Sequence, residues 1–531
     1  MSNVSSLFST FTTSSAESSN SENLIIKKIQ QRTEMYTQEA NFKEVKETLI
    51  NGDLSNSNEE RRKAFRRRRF QHRMNICEPI SIINKLTIPI ELYQECNVIQ
   101  VQSEKFEEYR KLFASTDMNT KYQGLAFLCK LLATKEDNPP IQDMIEHGLV
   151  SEFISLLDSE YPEFQYQALF CLINISYGTT DQSSSILNQG GLPKILTLIT
   201  SSIEEIQDLA IWLLGNLAGD SIDLRDQIVE KGGYAMLNYV FTTTKIPHIL
   251  KRCIWAFVSF FRYEKPLSFQ LTMNTLEYII YAIHHYPLDQ EMMSQAIFAV
   301  SLISDAYHQS IPIIIESDIL PIVLTHLEIP DIQIQVTSLR LLGNIAAGNA
   351  NQTQVLLDIG LLPHLQNLIK CDNIKVRKEV AWILSNIAAG TEKQAETLVA
   401  QGFSPILVDI ALHDESSIAS EAIWALCNFS QIGDKEKMEQ IIDNGILDVF
   451  ETGLRSKRIE LIAVCLEAFE KILSFGKKYY IVNGVNLIVS KTEEMGLFEI
   501  LENLQYHPSE VIYERVIFLL ENYFEIEEQQ L

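Results

Sequence analysis

Residues 210–220 read AIWLLGNLAGD and place Trp212, Asn216 and Asp220 four residues apart. Side chains four apart share one face of a helix, so the three would form a single stripe while the intervening leucines face elsewhere. One trio of this kind is more often a buried tryptophan with a chance polar neighbour than a site. Its meaning therefore depends on whether the pattern recurs.

The pattern recurs at a fixed step along the chain. AWILSNIAAG at 381–390 and AIWALCNFSQ at 422–431 repeat the tryptophan and the asparagine. The first slot falls every 42 or 43 residues, at Phe170, Trp212, Trp255, Phe298, Arg340, Trp382 and Trp424. The second slot holds Asn174, Asn216, Ser259, Leu302, Asn344, Asn386 and Asn428. A constant period of this size is typical of an α-solenoid.

Prolines repeat with the same period. Pro193, Pro321, Pro363 and Pro405 each stand 19 residues before a first-slot residue, at positions that suit the first turn of a helix. A helix, a turn and a second helix within about 42 residues indicate an armadillo or HEAT unit, whose stacked neighbours bury what one repeat cannot. We expect an all-α, right-handed superhelical armadillo-repeat solenoid of eight to ten repeats, with a disordered N-terminal arm.

Composition divides the chain into four segments. Residues 1–57 are rich in Ser, Asn and Glu and are predicted to be disordered. A basic segment, 58–76, is followed by a linker, 77–104, and then by the repeats, 105–531. The last predicted helix is EVIYERVIFLLENYF at 510–524.

Charge distinguishes the basic segment from the rest of the chain. RRKAFRRRRFQHR at 61–73 holds eight of the 44 Lys and Arg residues and no acid, which leaves 36 cations against 69 acids elsewhere. The repeats are therefore acidic, and the segment before them is strongly basic.

The sequence does not point to catalysis, a cofactor or a metal. Ten histidines are scattered, the eight cysteines form no CxxC pair, and no glycine-rich phosphate loop is present. We predict reduced intracellular thiols and no zinc site. No stretch of 18 apolar residues occurs, so no membrane span is expected.

Aligned tryptophans and asparagines would form a ladder along a concave groove of the third helices. Neighbouring indoles accept the stem of a lysine or arginine and stabilise its charge by roughly 0.5–2 kcal/mol. The Asn amide offers both donors and an acceptor to the backbone of an extended peptide. Acidic residues beside such a ladder would select basic side chains.

Three stretches resemble importin-α: AIWLLGNLAGDSIDLRD, LRLLGNIAAGNANQTQVLL and KEDNPPIQDMIEHGLVSEFISLL. The resemblance extends from about 105 to 525. It implies a nuclear import adaptor that binds Lys/Arg-rich nuclear localisation signals, links its cargo to importin-β and shuttles between cytoplasm and nucleus through the nuclear pore. It further implies an export receptor with Ran-GTP, with no direct contact to nucleic acid or membrane.

The resemblance also implies two cargo-binding sites. The major site would comprise Asn174, Gly178, Ser183, Trp212, Asn216, Asp220 and Trp255. Asp220, the only acid on the Trp212/Asn216 stripe, would hold a key lysine with the Ser183 hydroxyl and the Gly178 carbonyl. The minor site would comprise Arg340, Asn344, Thr353, Glu379, Trp382, Ser385, Asn386, Glu421, Trp424 and Asn428, with Glu421 facing an arginine.

Two major-site positions depart from the family. Phe170 stands where the family has tryptophan, and Ser259 where it has asparagine. Phenylalanine attracts a cation less strongly than tryptophan, and serine removes one clamp on the peptide backbone. We therefore expect the minor site to carry relatively more of the binding. The family also interrupts its ladder in the middle repeats. Arg340 in a tryptophan slot, and Phe298 and Leu302 in place of tryptophan and asparagine, match that interruption.

The basic segment resembles the importin-β-binding segment of the family. Its cations are Arg61, Arg62, Lys63, Arg66, Arg67, Arg68, Arg69 and Arg73. Such clusters also bind nucleic acid or act as localisation signals themselves. The family's segment has a second basic cluster that is missing here, so we expect inhibition of the protein's own groove to be partial.

Two other classes of protein remain as alternatives. An armadillo scaffold of the catenin kind would use a lysine-rich groove, against which the acidic total argues. An enzyme would need a nucleophile and base, a metal cluster or a phosphate loop. Cargo identity and the role of residues 1–57 are left open by the sequence.

Overall fold

The structure is a computed structural model that describes residues 88–98, 100–133 and 139–524. The predicted tail, 1–57, and the basic segment, 58–76, lie outside these residues. The described chain forms two compact units, one ending at Pro266 and the other beginning at Leu267.

Almost all of the described chain is helical. The first unit contains α1 Ile90–Val98, α2 Phe106–Phe113, α3 Met118–Leu132, α4 Ile141–Glu146, α5 Leu149–Leu156, α6 Pro162–Ile175, α7 Thr180–Asn188, α8 Gly191–Leu198, α9 Glu204–Ala218, α10 Ile222–Glu230, α11 Gly233–Thr243 and α12 Pro247–Phe261. The second begins with α13 Phe269–His285, α14 Gln290–Ala306, α15 Ile311–Glu316, α16 Leu320–Leu327, α17 Ile332–Ala346, α18 Ala350–Asp358, α19 Leu361–Leu368, α20 Ile374–Ala388, α21 Glu392–Ala400 and α22 Phe403–His413. It continues with α23 Ser416–Phe429, α24 Lys435–Asp443, α25 Ile446–Leu454, α26 Ile459–Tyr479, strands β1 Ile481–Val482 and β2 Val485–Asn486, α27 Leu487–Glu494, α28 Leu497–Leu504 and α29 Glu510–Tyr523. Short 3₁₀ turns lie at Ser103–Lys105 and His308–Ser310.

The helices repeat as two short ones followed by a long one, for example α7, α8 and α9, or α18, α19 and α20. The long helix of each such repeat packs on that of the next: α6 on α9 and α9 on α12 in the first unit, and α14, α17, α20 and α23 in series in the second. In the residues that the structure describes, ten repeats can be counted between α2 and α29, two of them with two helices. The predicted all-α armadillo solenoid is confirmed.

Glycine makes the sharp turn between the two short helices. Gly190, for example, has φ 79°, a left-handed conformation that costs glycine little. The same turn before α16 uses Asp318 at φ 57°, and aspartate is one of the few other residues that tolerate it. In the middle repeat the residues 22 and 23 positions before Phe298 are Leu276 and Thr275, and neither has glycine's tolerance of positive φ. There the chain continues as the single helix α13, in which the Thr275 hydroxyl donates to the Leu271 carbonyl.

The predicted proline positions also agree with the structure. Pro193, Pro321, Pro363 and Pro405 all lie in the first turn of the second short helix of their repeat, where backbone N–H groups have no partner within the helix. Capping boxes begin several of the first short helices, as at Thr179 with Gln182 of α7.

Two features differ from the sequence prediction. The segment predicted as a linker, 77–104, contains helix α1, in which Cys96 is buried. A two-stranded hairpin, Ile481–Asn486, interrupts the helices before α27, and Asn483 and Gly484 at its turn both have positive φ. Asn-Gly is a strong turn signal for a two-residue hairpin.

Within the described ranges, no single helix is long and apolar enough to span a membrane. Two bent pairs pass that length and composition test together: His308–Glu316 with Leu320–Leu327, and Glu392–Ala400 with Phe403–His413. The seven described cysteines are free thiols. Burial, with Glu95 nearby, raises the pKa of Cys96 to about 11.

Candidate functional site

The long helices carry the Trp/Asn pattern, and small residues let them pack closely. A Cβ on Gly215 of α9 would lie 2.6 Å from the Trp255 ring of α12, and one on Gly343 of α17 would lie 2.1 Å from the Trp382 ring of α20. Each indole is thus seated against the preceding long helix. The glycine of the phrase LLGN, which precedes the asparagine, is required for this contact.

The asparagine amides also bond to the preceding repeat. Asn216 Nδ2 donates to Ser176 Oγ at 3.0 Å, and Asn428 Nδ2 donates to the Ser385 carbonyl at 3.2 Å. Asn344 Nδ2 lies within hydrogen-bonding distance of both the Ser301 carbonyl and Ser304 Oγ, at 3.0 and 2.9 Å. The asparagines therefore hold the repeats in register, a role that the sequence analysis did not predict.

Asn174 and Asn386 behave differently. Asn174 Nδ2 donates at 2.8 Å to the Phe170 carbonyl of its own helix. Asn386 Nδ2 is buried and has no hydrogen-bond partner in the described part of the chain. An unsatisfied buried amide costs about 1–3 kcal/mol, so this group is a candidate donor to a bound molecule.

Ser183 and Asp220, assigned to the major site, lie side by side. Ser183 on α7 is fully buried, and its Oγ lies 3.5 Å from Asp220 Oδ1 and 3.2 Å from the Ser176 carbonyl. Asp220 follows the end of α9. Gly178, the third predicted contact, lies in the turn before α7, where a Cβ would meet the Gln182 side chain at 2.2 Å.

Only one of the seven repeats has an acid at the position of Asp220. The residues eight positions after the seven first-slot residues are Gly178, Asp220, Tyr263, Ala306, Gly348, Gly390 and Ile432. Asp220 is the single acid among them. A carboxylate beside a buried hydroxyl can accept hydrogen bonds from an ammonium group.

The Trp212/Asn216 stripe carries a second acid, so the prediction that Asp220 was its only one is wrong. Asp208 lies one turn before Trp212 and forms a two-bond ion pair with Arg252 of α12, Nε to Oδ1 at 2.8 Å and Nη2 to Oδ2 at 3.0 Å. The guanidinium carbon of Arg252 lies 4.7 Å from the centre of the Trp212 ring and 5.8 Å from that of Trp255. Trp212 is consequently only 6% exposed.

The two departures at the major site occupy ordinary packing positions. Phe170 is partly buried, and its ring packs edge-to-face on Tyr166 with centroids 4.9 Å apart. Ser259 is buried, and its Oγ would lie 3.1 Å from a Cβ on Gly219.

At the minor site, Arg340 forms an ion pair with Glu379. Arg340 Nε donates to Glu379 Oε2 at 2.9 Å, and a second bond joins Nη2 to Oε1. The guanidinium also lies over the Trp382 ring, 5.7 Å from its centre. The guanidinium of Arg340 thus covers the ring of Trp382, the first-slot residue of the next repeat.

The remaining minor-site residues flank this pair on neighbouring helices. Ser385 Oγ donates to Glu421 Oε2 at 3.0 Å, which fixes a second buried carboxylate one turn before Trp424. Thr353 Oγ1 on α18 lies 3.2 Å from the Ala346 carbonyl, the same contact that Ser183 makes in the first unit. Trp424 and Asn428 are partly exposed.

No group of three or more His, Cys, Asp and Glu residues in the described ranges is arranged to hold a metal ion. The eight predicted importin-β-binding cations, Arg61 to Arg73, lie outside those ranges.

Comparison with known proteins identifies the fold and then the family. The model of the armadillo/β-catenin-like repeat matches residues 179–219 and 349–389. The chain superposes on the crystal structure of an engineered protein with a TM-score of 0.67 at 24% identity, covering 79% of this chain and 99% of that one. The fold is that of an armadillo-repeat protein.

Curated relatives define the family more closely. The chain is 41% identical to importin subunit alpha-B of Dictyostelium discoideum over 403 residues, 75% of this chain and 78% of that one. It is 30% identical to importin subunit alpha-1b of Oryza sativa over 78% of each chain. The match to importin subunit alpha-3 of Arabidopsis thaliana, also 30% identical, spans 46% of each chain. The chain belongs to the importin-α family of nuclear import adaptors.

Proposed function

We propose that the protein binds Lys/Arg-rich nuclear localisation signals at two sites, one in each unit, and links them to importin-β. The observation that carries this proposal is the Ser183–Asp220 pair: a carboxylate beside a buried hydroxyl, on the stripe that continues from Trp212 and Asn216. The same stripe holds indole and amide groups, which suit a lysine stem and a peptide backbone.

At the major site, Asp220 accepts hydrogen bonds from the ammonium group of one lysine, with the Ser183 hydroxyl and the Gly178 carbonyl completing its surroundings. Hydrogen bonds to a charged group contribute about 1.5–3 kcal/mol each. Because Asp220 is the single acid at its position in the seven repeats, this pocket fixes the register of the bound peptide.

At the minor site, Glu421 faces an arginine of the signal. Ser385 holds one oxygen of Glu421, so the carboxylate is already oriented for a planar guanidinium. The Asn386 amide donates to a peptide carbonyl, which satisfies a group that has no partner within the described residues. Trp382 and Trp424 flank the bound side chains.

Net charge supports the same class of ligand. The chain carries a formal charge of −25, although its basic segment alone contributes eight cations. An acidic surface raises the association rate of a basic peptide at low salt. A lysine-rich groove of the catenin kind would favour acidic peptides instead.

Calorimetry with the full chain tests the proposal. A peptide carrying five consecutive basic residues is expected to bind, whereas the same peptide with glutamates in their place is not. Preference for the acidic peptide would favour a catenin-like scaffold. Binding of neither peptide would refute the proposed function.

The basic segment, 58–76, is the proposed importin-β-binding element and a weak ligand of the protein's own groove. Deleting residues 1–76 should abolish binding to importin-β and tighten binding of a signal peptide about tenfold, or about 1.4 kcal/mol. Retained importin-β binding would contradict the first expectation, and a gain of a hundredfold or more would contradict the second. Shuttling between cytoplasm and nucleus, and export by a receptor with Ran-GTP, follow from the same proposal.

A further inference from the structure

The Trp212–Trp255 slot of the first unit already contains a cation. Arg252 projects from α12 one turn before Trp255, and its guanidinium carbon lies 4.7 Å from the Trp212 ring centre and 5.8 Å from that of Trp255. These distances fall within the range of a cation–π contact. A lysine or arginine from a bound peptide would need this same volume.

The arginine is held in place by a carboxylate. Arg252 and Asp208 meet through two parallel hydrogen bonds, and their side chains are 28% and 18% exposed. A planar two-bond pair of this kind is the strongest arrangement that a guanidinium forms with a carboxylate. Asp208, which would otherwise attract a cationic peptide, is therefore neutralised within the protein.

Before the tryptophans of the second unit, the residues equivalent to Arg252 carry the opposite charge. Three residues before each tryptophan of the ladder stand Leu209, Arg252, Glu379 and Glu421. The slot next to Trp424 thus has a carboxylate where the slot next to Trp255 has a guanidinium. Glu421 accepts a hydrogen bond from a neutral hydroxyl, that of Ser385.

We propose that Arg252 is a specificity-determining residue that excludes basic side chains from the Trp212–Trp255 slot. The inference rests on the proposed function, because it concerns the peptide that the major site accepts. Arg252 and Asp208 together leave Asp220 as the acid that receives a cargo lysine in this unit. The position of the cargo that faces Arg252 takes an uncharged or acidic side chain.

The test uses a full-length background in which Trp382 and Trp424 are alanine, so that binding reports on the first unit. The probe is a capped peptide with five consecutive lysines, together with five variants that each replace one lysine by alanine. Without Arg252 the slot and Asp208 both become available to a lysine. Arg252→Gln should therefore tighten binding of the five-lysine peptide about tenfold by calorimetry.

The peptide series gives the inference its position-specific readout. One lysine of the probe should be replaceable by alanine with less than about a twofold effect on the protein that retains Arg252, because its side chain is excluded from the slot. With the Arg252→Gln variant, replacing this same lysine of the peptide by alanine should remove most of the tenfold gain in affinity. Arg252→Ala, with its melting temperature measured alongside, should behave as Arg252→Gln does.

Arg377 provides a matched control. It makes the same two-bond pair with Asp414, at 2.8 and 2.9 Å, between neighbouring repeats of the second unit. Arg377→Gln removes the same charge without opening the Trp212–Trp255 slot, so it should not tighten binding.

Equal affinity of the five-lysine peptide for the Arg252→Gln variant and its parent, with the peptide still bound, overturns the inference and leaves the proposed function intact. Failure of the unaltered full chain to bind the five-lysine peptide overturns the proposed function, and the inference with it.

Discussion

Replacing Asp220 by lysine tests the major site most directly. An ammonium group about 4 Å from this carboxylate would gain roughly 4 kcal/mol at an effective dielectric of about 20. Part of that gain is lost to desolvation, so a net value of about 1.5–3 kcal/mol is expected for the charged hydrogen bond. Asp220→Asn should therefore weaken a monopartite signal peptide by about 10- to 150-fold. Asp220→Lys replaces attraction by repulsion and should cost about 4 kcal/mol, or roughly a thousandfold.

The assay is calorimetry with a single-cluster basic peptide at about 0.15 M salt, repeated at higher salt, where the difference between the variants should shrink. Asp223, replaced by Asn and by Lys in the same way, is the matched control, because it is an exposed acid only three residues away and each replacement changes the net charge equally. The control should change affinity less than about twofold. If Asp220→Lys leaves affinity unchanged, a role for Asp220 in cargo binding must be abandoned.

Two further predictions concern the balance between the two cargo-binding sites and the ion pair between Arg377 and Asp414. Replacing both Trp382 and Trp424 by alanine should reduce binding of a two-cluster signal at least as much as replacing both Trp212 and Asn216 does, because the first-unit site has lost cation-binding groups. A much larger loss on replacing Trp212 and Asn216 would show that the first unit dominates. Hydrogen bonds from Arg377 hold the pKa of Asp414 below its ordinary 3.8, with burial opposing. This pair therefore stabilises the fold above pH 3.8, and the stability is lost as the pH falls through the lowered pKa. In urea unfolding, Asp414→Asn should cost about 1.5–3 kcal/mol at pH 7 and progressively less as the pH falls below 3.8, and a cost independent of pH would contradict this.

The fold could be predicted because several residue types repeat independently with the same period. Tryptophan, asparagine, proline and glycine each recur at about 42 residues, and each has its own physical reason: ring packing, amide bonding, helix starts and left-handed turns. The hairpin at 481–486 was missed although Asn483 and Gly484 are a strong turn signal, because its strands are only two residues long. Helix α1 was missed because it is only nine residues long and directly follows Pro89, and proline is a common loop signal.

The candidate site could be predicted in part. The family pattern grouped Ser183 with Asp220 and assigned Ser385 and Glu421 to one site, and the structure brings both pairs within hydrogen-bonding distance. It did not indicate Arg252, since sequence alone does not say which way a long flexible side chain turns. A signal was nevertheless present: an acid one turn before Trp212 and a base three residues before Trp255.

Three differences between the units act in the same direction. Phe170 replaces an indole, Ser259 replaces an amide, and Arg252 places a cation where the second unit has Glu421; the other equivalent acid, Glu379, is paired with Arg340. The first two remove attraction for a basic peptide, and the third adds competition for the slot that remains. Asp220 itself is retained, and its pocket depends on Ser183 of the same repeat. A signal that places one lysine at Asp220 and its other cations in the second unit would therefore retain most of its binding energy, whereas a single dense cluster of lysines confined to the first unit would not.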